Sequence, residues 1–282
     1  MKNTKILTIG ALLLFLAGAA AISQEAGVDR ATVPLSDPSR PAVVKATAFR
    51  GTITVTGYSG QNVVVEATVR TAALSEQEEE EDQEQNEKAK GMRLISSAAT
   101  GLSITEEDNV VGIRVQSMNR AVDLNIQVPF NTSLKLSALA GGKILVEKVT
   151  GDHEIQNNAG PVTLTNISGS VVASSLAGAL TVTFDKITPD KPMSFTSMAG
   201  DVDVTFPASL KADLKMKSMM GDIYSDYEVA IKTTPQKMEK ETEEDTGKYR
   251  VSFDKTIYGS VNGGGAEFSF STMHGDIYIR SK

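Results

Sequence analysis

The chain has 282 residues, 40% of them hydrophobic, with no cysteine and a formal net charge of −7. Its length and apolar content allow a sizeable core, which must be held together without disulfides. The acidic balance argues against nucleic acids and anionic membrane surfaces as partners, so no nucleic-acid binding is expected.

The N-terminal segment predicts export. Two lysines precede an apolar run over residues 6–21, and small residues follow it. We interpret residues 1–23 as a secretory signal peptide, so that the mature chain begins near Gln24. An uncleaved anchor helix is the alternative, but a membrane-spanning helix needs ~20 apolar residues. We expect a mature chain without a transmembrane span, located in the periplasm, at the cell surface or secreted.

A lead-in over residues 24–41 precedes the folded domain, which we place at residues 42–282. Two charged inserts interrupt that domain, at residues 75–90 and 233–248, and residues 75–86 of the first include seven acidic residues and no basic one. Runs of charge without apolar residues are typical of solvated loops, and we interpret both inserts in this way. Capture of a cation by the acidic residues is the alternative.

Glycines recur every nine residues through the middle of the chain, and the local pattern around them persists beyond that region. The repeated positions are Gly142, Gly151, Gly160, Gly169, Gly178, Gly200, Gly221 and Gly275. A fixed short period is typical of a repeat architecture. We expect each glycine in a turn that requires positive φ, with the following aspartate bonding to its own backbone there.

Between these turns apolar and polar residues alternate, as in Val202-Asp203-Val204-Thr205-Phe206. A period of two predicts half-buried strands, with two strands in each unit of about 18–22 residues. Such units cannot bury their apolar faces singly, so they must stack. The sequence therefore predicts an all-β, single-domain parallel β-solenoid of two-strand rungs. A β-sandwich is the rival, but the similarity of successive turns favours the solenoid.

The run from Val122 through Val128-Pro129 and Leu134-Lys135-Leu136, and onward through the Ser-x-Ala-Gly-Asp-Val turns, carries a family resemblance. It resembles the bacterial putative-adhesin domain of unknown function, over residues 42–282. The resemblance implies an exported or membrane-attached β-strand-repeat solenoid with an adhesive role in the envelope. It implies no ligand and no catalytic residue, and the two charged inserts depart from the family pattern.

The outward strand positions are short and polar, which favours a flat, hydrogen-bonding surface. We select as the candidate binding face Thr181, Thr183, Asp203 and Thr205. The predicted function is a non-catalytic binding or scaffold role in the cell envelope, with an envelope protein or a glycan as partner.

A carbohydrate-active enzyme, either a polysaccharide lyase or a hydrolase, is the alternative function, because such enzymes can use paired carboxylates. Its candidate residues would be Asp201, Asp203 and Asp222, although their place in the repeat already accounts for them. We expect no catalytic residue, cofactor or metal ion. The metal alternative is calcium, held between turn aspartates stacked on successive rungs.

Two further features have open interpretations. His153 and His274 are the chain's two histidines, and we expect both on the surface. An apolar column, out of phase with the inward strand positions, precedes the turns; it consists of Leu139, Leu176, Met198, Met219 and Met273. Either the turns rotate these side chains into the core, which is the commoner arrangement, or they form an exposed stripe suited to binding.

Overall fold

The computed structural model describes residues 22–25, 28–70, 100–118, 120–232, 238–243, 248–253 and 255–282. All the regular secondary structure in these ranges consists of β-strands, which confirms the all-β prediction. No helix in the described part of the chain is long and apolar enough to cross a membrane. Most of the predicted signal peptide and the whole first charged insert lie outside the described residues.

The strands are named in chain order. They are β1 (Ile22–Glu25), β2 (Val28–Pro34), β3 (Ala42–Ala48), β4 (Ile53–Tyr58), β5 (Asn62–Val69), β6 (Leu102–Glu107), β7 (Val110–Val115), β8 (Val122–Pro129), β9 (Thr132–Ala138), β10 (Ile144–Glu147), β11 (Thr150–Asn157), β12 (Val162–Ala177), β13 (Leu180–Ile187), β14 (Met193–Ala199), β15 (Val202–Phe206), β16 (Ala212–Ser218), β17 (Ile223–Ser225), β18 (Ala230–Lys232), β19 (Met238–Glu243), β20 (Lys248–Phe253), β21 (Ile257–Val261), β22 (Glu267–Thr272) and β23 (Ile277–Ser281).

Twenty-one of these strands belong to one continuous mixed sheet, whose pairings form two series. Series 1 runs β1–β2–β5–β8–β4–β10–β12–β13–β15–β23–β17. Series 2 runs β6–β7–β3–β9–β11–β12–β14–β22–β16–β21–β18. The 16-residue strand β12 belongs to both. Its pairs with β10 and β13 of series 1 lie within residues 162–169, and its pairs with β11 and β14 of series 2 lie within residues 168–177.

Parallel pairing dominates the middle of both series, and it aligns the buried residues of successive strands. Val146 pairs with Leu164, Leu164 with Val182, and Val182 with Val204. Because side chains alternate along each strand, this register places these apolar positions on one face, which is the buried one.

Antiparallel pairs close both ends of the sheet, so the prediction of a purely parallel sheet is wrong there. At one end β5 pairs antiparallel with both β2 and β8, and β6 pairs antiparallel with β7. At the other end β21 pairs antiparallel with both β16 and β18. The β6–β7 hairpin turns at Asp108 and Asn109, both with positive φ, as a two-residue hairpin turn requires.

Spatial order also departs from chain order. Strand β22 lies between β14 and β16, and β23 lies between β15 and β17. In the same way, β3 lies between β7 and β9, and β4 lies between β8 and β10. Gly275 therefore lies between Gly200 and Gly221. Asp201 and Asp222 would have to lie on neighbouring strands to share a calcium ion, and the turn of β23 separates them.

Part of the second charged insert forms a strand. β19 pairs antiparallel with β20, as a two-stranded sheet separate from the large one. The interpretation of residues 233–248 as a loop throughout is therefore wrong for the six residues of β19, whose register with β20 is regular.

Phenylalanines from both series meet inside the C-terminal half. The Phe184 and Phe206 rings of series 1 stack with centroids 5.1 Å apart, and Phe195 of series 2 lies edge-on to Phe206 at 6.0 Å. All three are fully buried. Aromatic pairs in such geometries contribute about 0.5–1.5 kcal/mol each beyond their buried area. The inward faces of the two series therefore share one core.

Close approach between neighbouring turns explains most of the repeated glycines. A Cβ added to Gly178 would lie 2.5 Å from the carbonyl carbon of Gly160, and one on Gly275 would lie 2.4 Å from the Gly200 oxygen. Positive φ contributes at some positions, such as Gly142 at 106°. The expectation of positive φ is wrong for Gly221 and Gly275, where the neighbouring backbone alone leaves no space for a side chain.

Candidate functional site

The small polar residues three positions before the turn glycines are structural. Each is buried and donates a hydrogen bond to the glycine carbonyl of the neighbouring turn. These bonds join Asn157 Nδ2 to Gly142 O (3.2 Å), Ser175 Oγ to Gly160 O (3.0 Å), Ser197 Oγ to Gly178 O (3.0 Å), Thr272 Oγ1 to Gly200 O (2.9 Å) and Ser218 Oγ to Gly275 O (2.9 Å). Because a partly buried carbonyl without a partner is costly, these side-chain donors stabilise the stacked turns.

The turn aspartates connect neighbouring strands as well. Asp201 Oδ1 accepts a hydrogen bond from the Asp276 backbone N–H at 2.9 Å, and Asp276 Oδ1 accepts one from Asp222 N–H at 2.8 Å. The expectation that each aspartate bonds to its own backbone is wrong here, since the acceptor and the donor belong to different turns.

Asp152 differs from the other turn aspartates. Its carboxylate accepts hydrogen bonds from Lys191 Nζ and Ser170 Oγ, both at 2.7 Å. The Lys191 ammonium, with help from the Ser170 hydroxyl, lowers the pKa of the Asp152 carboxyl.

The structure brings the four residues of the candidate binding face together. Thr181 pairs in register with Asp203, and Thr183 pairs with Thr205, on the adjacent strands β13 and β15. All four occupy the positions that alternate with buried residues, so they share the outer face of series 1. On the β12 side, Thr163 extends the row by pairing with Thr181.

Sequence reasoning missed the other half of this face, which β23 and β17 supply. Tyr278 pairs in register with Asp203, and Arg280 pairs with Thr205. The Arg280 Nε donates to Asp203 Oδ1 at 2.8 Å, and its guanidinium carbon lies 5.0 Å from the centroid of the Tyr278 ring. Tyr224 stacks on Tyr278 with centroids 5.2 Å apart.

We call these six positions, together with Thr163 and Tyr224, the threonine–tyrosine face: Thr163, Thr181, Thr183, Asp203, Thr205, Tyr224, Tyr278 and Arg280. Neighbouring strands in a sheet lie about 4.8 Å apart, so the face presents polar groups at a regular spacing. The hydrogen bond to Asp203 raises the pKa of Arg280, which is consistent with a persistent pair of opposite charges. The face can donate and accept hydrogen bonds, and it ends in an aromatic pair.

A comparison with protein families decides the classification of the chain. The profile described as Toastrack DUF4097 matches residues 140–280, which is half of the chain. The chain belongs to the Toastrack DUF4097 family. The resemblance to an adhesin-like domain of unknown function, drawn from the Gly-Asp turns, is thereby confirmed. The matched residues of this Toastrack chain include the whole threonine–tyrosine face.

Two solved structures are similar to the Toastrack chain at low identity. One is described as a putative cell adhesion protein from Clostridium sporogenes, with 10% identity and a TM-score of 0.44, covering 90% of this chain and 100% of that one. The other is described as a putative adhesin from Bacteroides fragilis, with 8% identity and a TM-score of 0.28, covering 89% of this chain and 96% of that one. No curated protein matches the chain.

The carboxylates considered for catalysis have partners within the Toastrack fold. Asp203 pairs with Arg280, and Asp201 accepts the Asp276 backbone N–H. Asp222 lies beside Tyr224, and its negative charge is the main cause of the raised pKa of that phenol. Among the described residues, no three His, Asp or Glu side chains form a group that could hold a metal ion.

His153 is buried, so the expectation of a surface position is wrong for it. The side chain faces inward on β11, between Leu134 of β9 and Val171 of β12, and is 3% exposed. Neither ring nitrogen has a hydrogen-bond partner of normal geometry, although backbone groups of Val149 and Ser168 lie near enough to oppose part of the effect of burial on the pKa. Burial lowers the pKa of His153 to about 4. His274 is exposed in its turn, as expected.

The apolar column at the turns is exposed, so the commoner arrangement, in which it folds into the core, is wrong here. Leu176 is 49% exposed, Met198 47%, Met273 41% and Met219 44%. The register of β12, β14, β22 and β16 places these four residues on successive strands. They therefore form a continuous apolar stripe, because at this corner the inward position is taken by the serine or threonine that bonds the glycine carbonyl.

Proposed function

We propose that this protein is an exported, non-catalytic binding or scaffold protein of the cell envelope, and that it binds its partner through the threonine–tyrosine face. The register that joins Thr181 with Asp203 and Thr183 with Thr205 carries the proposal. Family membership supports the adhesin-like role. The partner is an envelope protein or a glycan.

The architecture that presents this face is, in our interpretation, a solenoid with two strands in each rung. Pairing residues 18 or 22 positions apart, such as Leu164 with Val182 and Val182 with Val204, supports this interpretation. The contacts between Phe184, Phe195 and Phe206 support it too, because they join the inward faces of the two series. In such a solenoid the outer face of series 1 is one flat lateral surface.

The chemistry of the face favours binding over turnover. Its threonine hydroxyls lie on regular strands, and its one carboxylate, Asp203, is paired with Arg280. A hydrolase needs two carboxylates that flank a substrate bond. Fixed, outward hydroxyls instead suit recognition of a polar surface, with Tyr224 and Tyr278 as amphipathic contacts at one end.

Binding to a glycan array and to envelope proteins, followed by substitution, tests the proposal. Thr183→Glu and Thr205→Glu should weaken binding about tenfold or more, because each places a charge in the interface, while leaving the melting temperature nearly unchanged. Thr196→Glu is the matched control, since Thr196 is exposed on β14 of series 2. Equal loss in the control, or glycan turnover abolished by Asp203→Asn, would contradict the proposal.

Export has a separate test. N-terminal sequencing of the protein recovered outside the cytoplasm should begin near Gln24. Recovery of chains that start at Met1 would show that the N-terminal segment remains attached and would favour the anchor interpretation.

A further inference from the structure

Three of the four residues in the exposed apolar stripe carry sulfur: Met198 on β14, Met273 beside β22 and Met219 beside β16. Each directly follows a residue that pairs in register with its neighbour at the end of these parallel strands. Two backbone hydrogen bonds continue the ladder, from His274 N–H to Met198 O (3.0 Å) and from Met219 N–H to Thr272 O (3.1 Å). Neighbouring strands lie about 4.8 Å apart, so the three methionines stand side by side at about that spacing. We call them the thioether triad.

Core packing does not account for methionine at these positions. The three side chains are exposed, so none of them fills a gap in the core. Leu139 and Leu176 occupy the corresponding turn position on other strands and are exposed to a similar degree. Apolar contact at this corner is therefore available without sulfur. What the triad adds to a column of leucines is three polarisable thioethers in one place.

The ligands gathered at this corner suit a soft metal ion. Thioether sulfur is a soft ligand, and such ligands select Cu(I) among the metals that proteins bind. The chain has no cysteine, so methionine supplies its only sulfur ligands. Three rotatable bonds in each side chain let the outer two thioethers lean toward Met273, which lies between them. The exposed side chain of His274 follows Met273 directly and offers an imidazole, which also suits copper.

The charges around the triad do not oppose a monovalent cation. Three carboxylates lie in the same turns, each three positions after a triad methionine: Asp201, Asp276 and Asp222. Two ammonium groups face them, because Lys217 lies two residues before Met219 and Lys255 Nζ donates a hydrogen bond to Met219 O at 3.3 Å. The local balance is therefore slightly negative, which favours a cation over an anion.

We propose that the thioether triad binds one Cu(I) ion, with the sulfur atoms of Met198, Met273 and Met219 as ligands and the His274 imidazole as the fourth. Magnesium and calcium prefer oxygen ligands, so they do not compete for this site. The ion is bound and released as Cu(I), without transfer of an electron or a proton. The site is separate from the threonine–tyrosine face, because the triad belongs to series 2 and that face belongs to series 1.

Anaerobic titration of the purified chain with Cu(I), in competition with the chromogenic chelator bicinchoninate, tests the proposal. One ion should bind per chain. Met198→Leu and Met273→Leu should each weaken the affinity about tenfold or more, because each removes one ligand. Met220 is exposed beside Met219 and is able to replace it, so the third ligand is removed with the double variant Met219→Leu/Met220→Leu, which should show the same loss. Leucine keeps the size and the apolar character, so the melting temperatures without copper should hardly change.

Met118→Leu is the matched control, since it removes an exposed thioether that lies outside the stripe. It should bind Cu(I) like the native chain. Cu(I) should also raise the melting temperature of the native chain more than that of Met273→Leu, because a ligand that binds the folded state stabilises it. Ag(I), a soft cation that does not change oxidation state here, should shift the methyl NMR signals of the triad and leave that of Met118 in place.

Four results would overturn the proposal. They are no binding of Cu(I), an equal loss of affinity in Met118→Leu, one ion bound per two chains, and Zn(II) binding as tight as that of Cu(I). Unchanged affinity in the triad variants with loss in His274→Gln would also overturn it, by showing that the imidazole holds the ion without the thioethers. Each of these results leaves the test of the threonine–tyrosine face unaffected.

Discussion

Acidification should destabilise this protein through His153. The imidazole is buried between Leu134 and Val171, and neither nitrogen has a hydrogen-bond partner of normal geometry, so the folded state resists the charged form. Its pKa is lowered from 6.5 to about 4. The unfolded chain therefore takes up the proton first as pH falls. The stabilisation that depends on a neutral His153 is fully present above pH 6.5 and is lost progressively toward pH 4.

The size of the effect follows from that separation of pKa values. At 1.36 kcal/mol per pKa unit, the loss of unfolding free energy is about 2 kcal/mol at pH 5 and about 3 kcal/mol at pH 4. For a domain of this size each kcal/mol shifts the melting temperature by about 2–4 °C, so we expect a fall of about 4–8 °C between pH 7.5 and pH 5. Acidic groups such as Asp152, whose pKa is lowered, act at still lower pH.

Thermal and urea unfolding across this pH range measure the effect, with His153→Leu as the decisive variant. Leucine has a similar size and no polar atom, so stability at pH 7.5 should be equal or higher. Its unfolding free energy should hardly change between pH 7.5 and pH 5. His274→Gln, at an exposed turn position, should keep the pH dependence of the native chain. A His153→Leu variant that loses as much stability on acidification as the native chain would refute the reasoning.

Three further predictions concern the turns and the first insert. Gly200→Val should lower the unfolding free energy by about 3 kcal/mol or more, because the added Cβ would lie 2.6 Å from the Gly178 carbonyl. Gly141→Ala should lower it less, because no atom lies within 4 Å of the added Cβ, and the melting temperatures of the two variants test the difference. Ser197→Ala should cost about 1–3 kcal/mol in urea unfolding, since it leaves the Gly178 oxygen without that partner. Replacing residues 76–87 by a short Gly/Ser linker should change stability little, because loop length costs little, and loss of the folded state would show that the run is required.

The strands could be predicted from sequence because their signal is local. Burial alternates along β13 and β15 as the apolar pattern indicates, with Leu180, Val182 and Phe184 inside. The same logic could have located His153. It lies two residues before Ile155 and shares its phase, so it had to face inward. The prediction failed because histidine was judged by its usual preference for water rather than by its position in the alternation.

The order of the strands could not be predicted in the same way. Repeated units of similar pattern are locally interchangeable, so nothing in the Gly275 turn distinguishes a place after Gly221 from a place between Gly200 and Gly221. Pairing partners far apart in sequence decide that order, through packing of particular side chains such as Phe270 against Phe195. The exposure of Met198 also depends on a contact between distant residues. Ser197 takes the inward position at the turn, where its hydroxyl bonds to the Gly178 carbonyl, and Met198 therefore points outward.

The insertion of β23 has a consequence for the candidate binding face. Asp203 is supplied by β15, but its counter-charge Arg280 and the aromatic neighbour Tyr278 come from residues 75 or more positions later. The face is therefore complete only when the C-terminal strand has docked between β15 and β17. Without β23, Asp203 would lack the Arg280 counter-charge, and β15 would lack its strand neighbour on that side. Closure of the sheet by β23 and assembly of the binding face are thus one structural step, which couples the stability of the C-terminal strand to the proposed binding function.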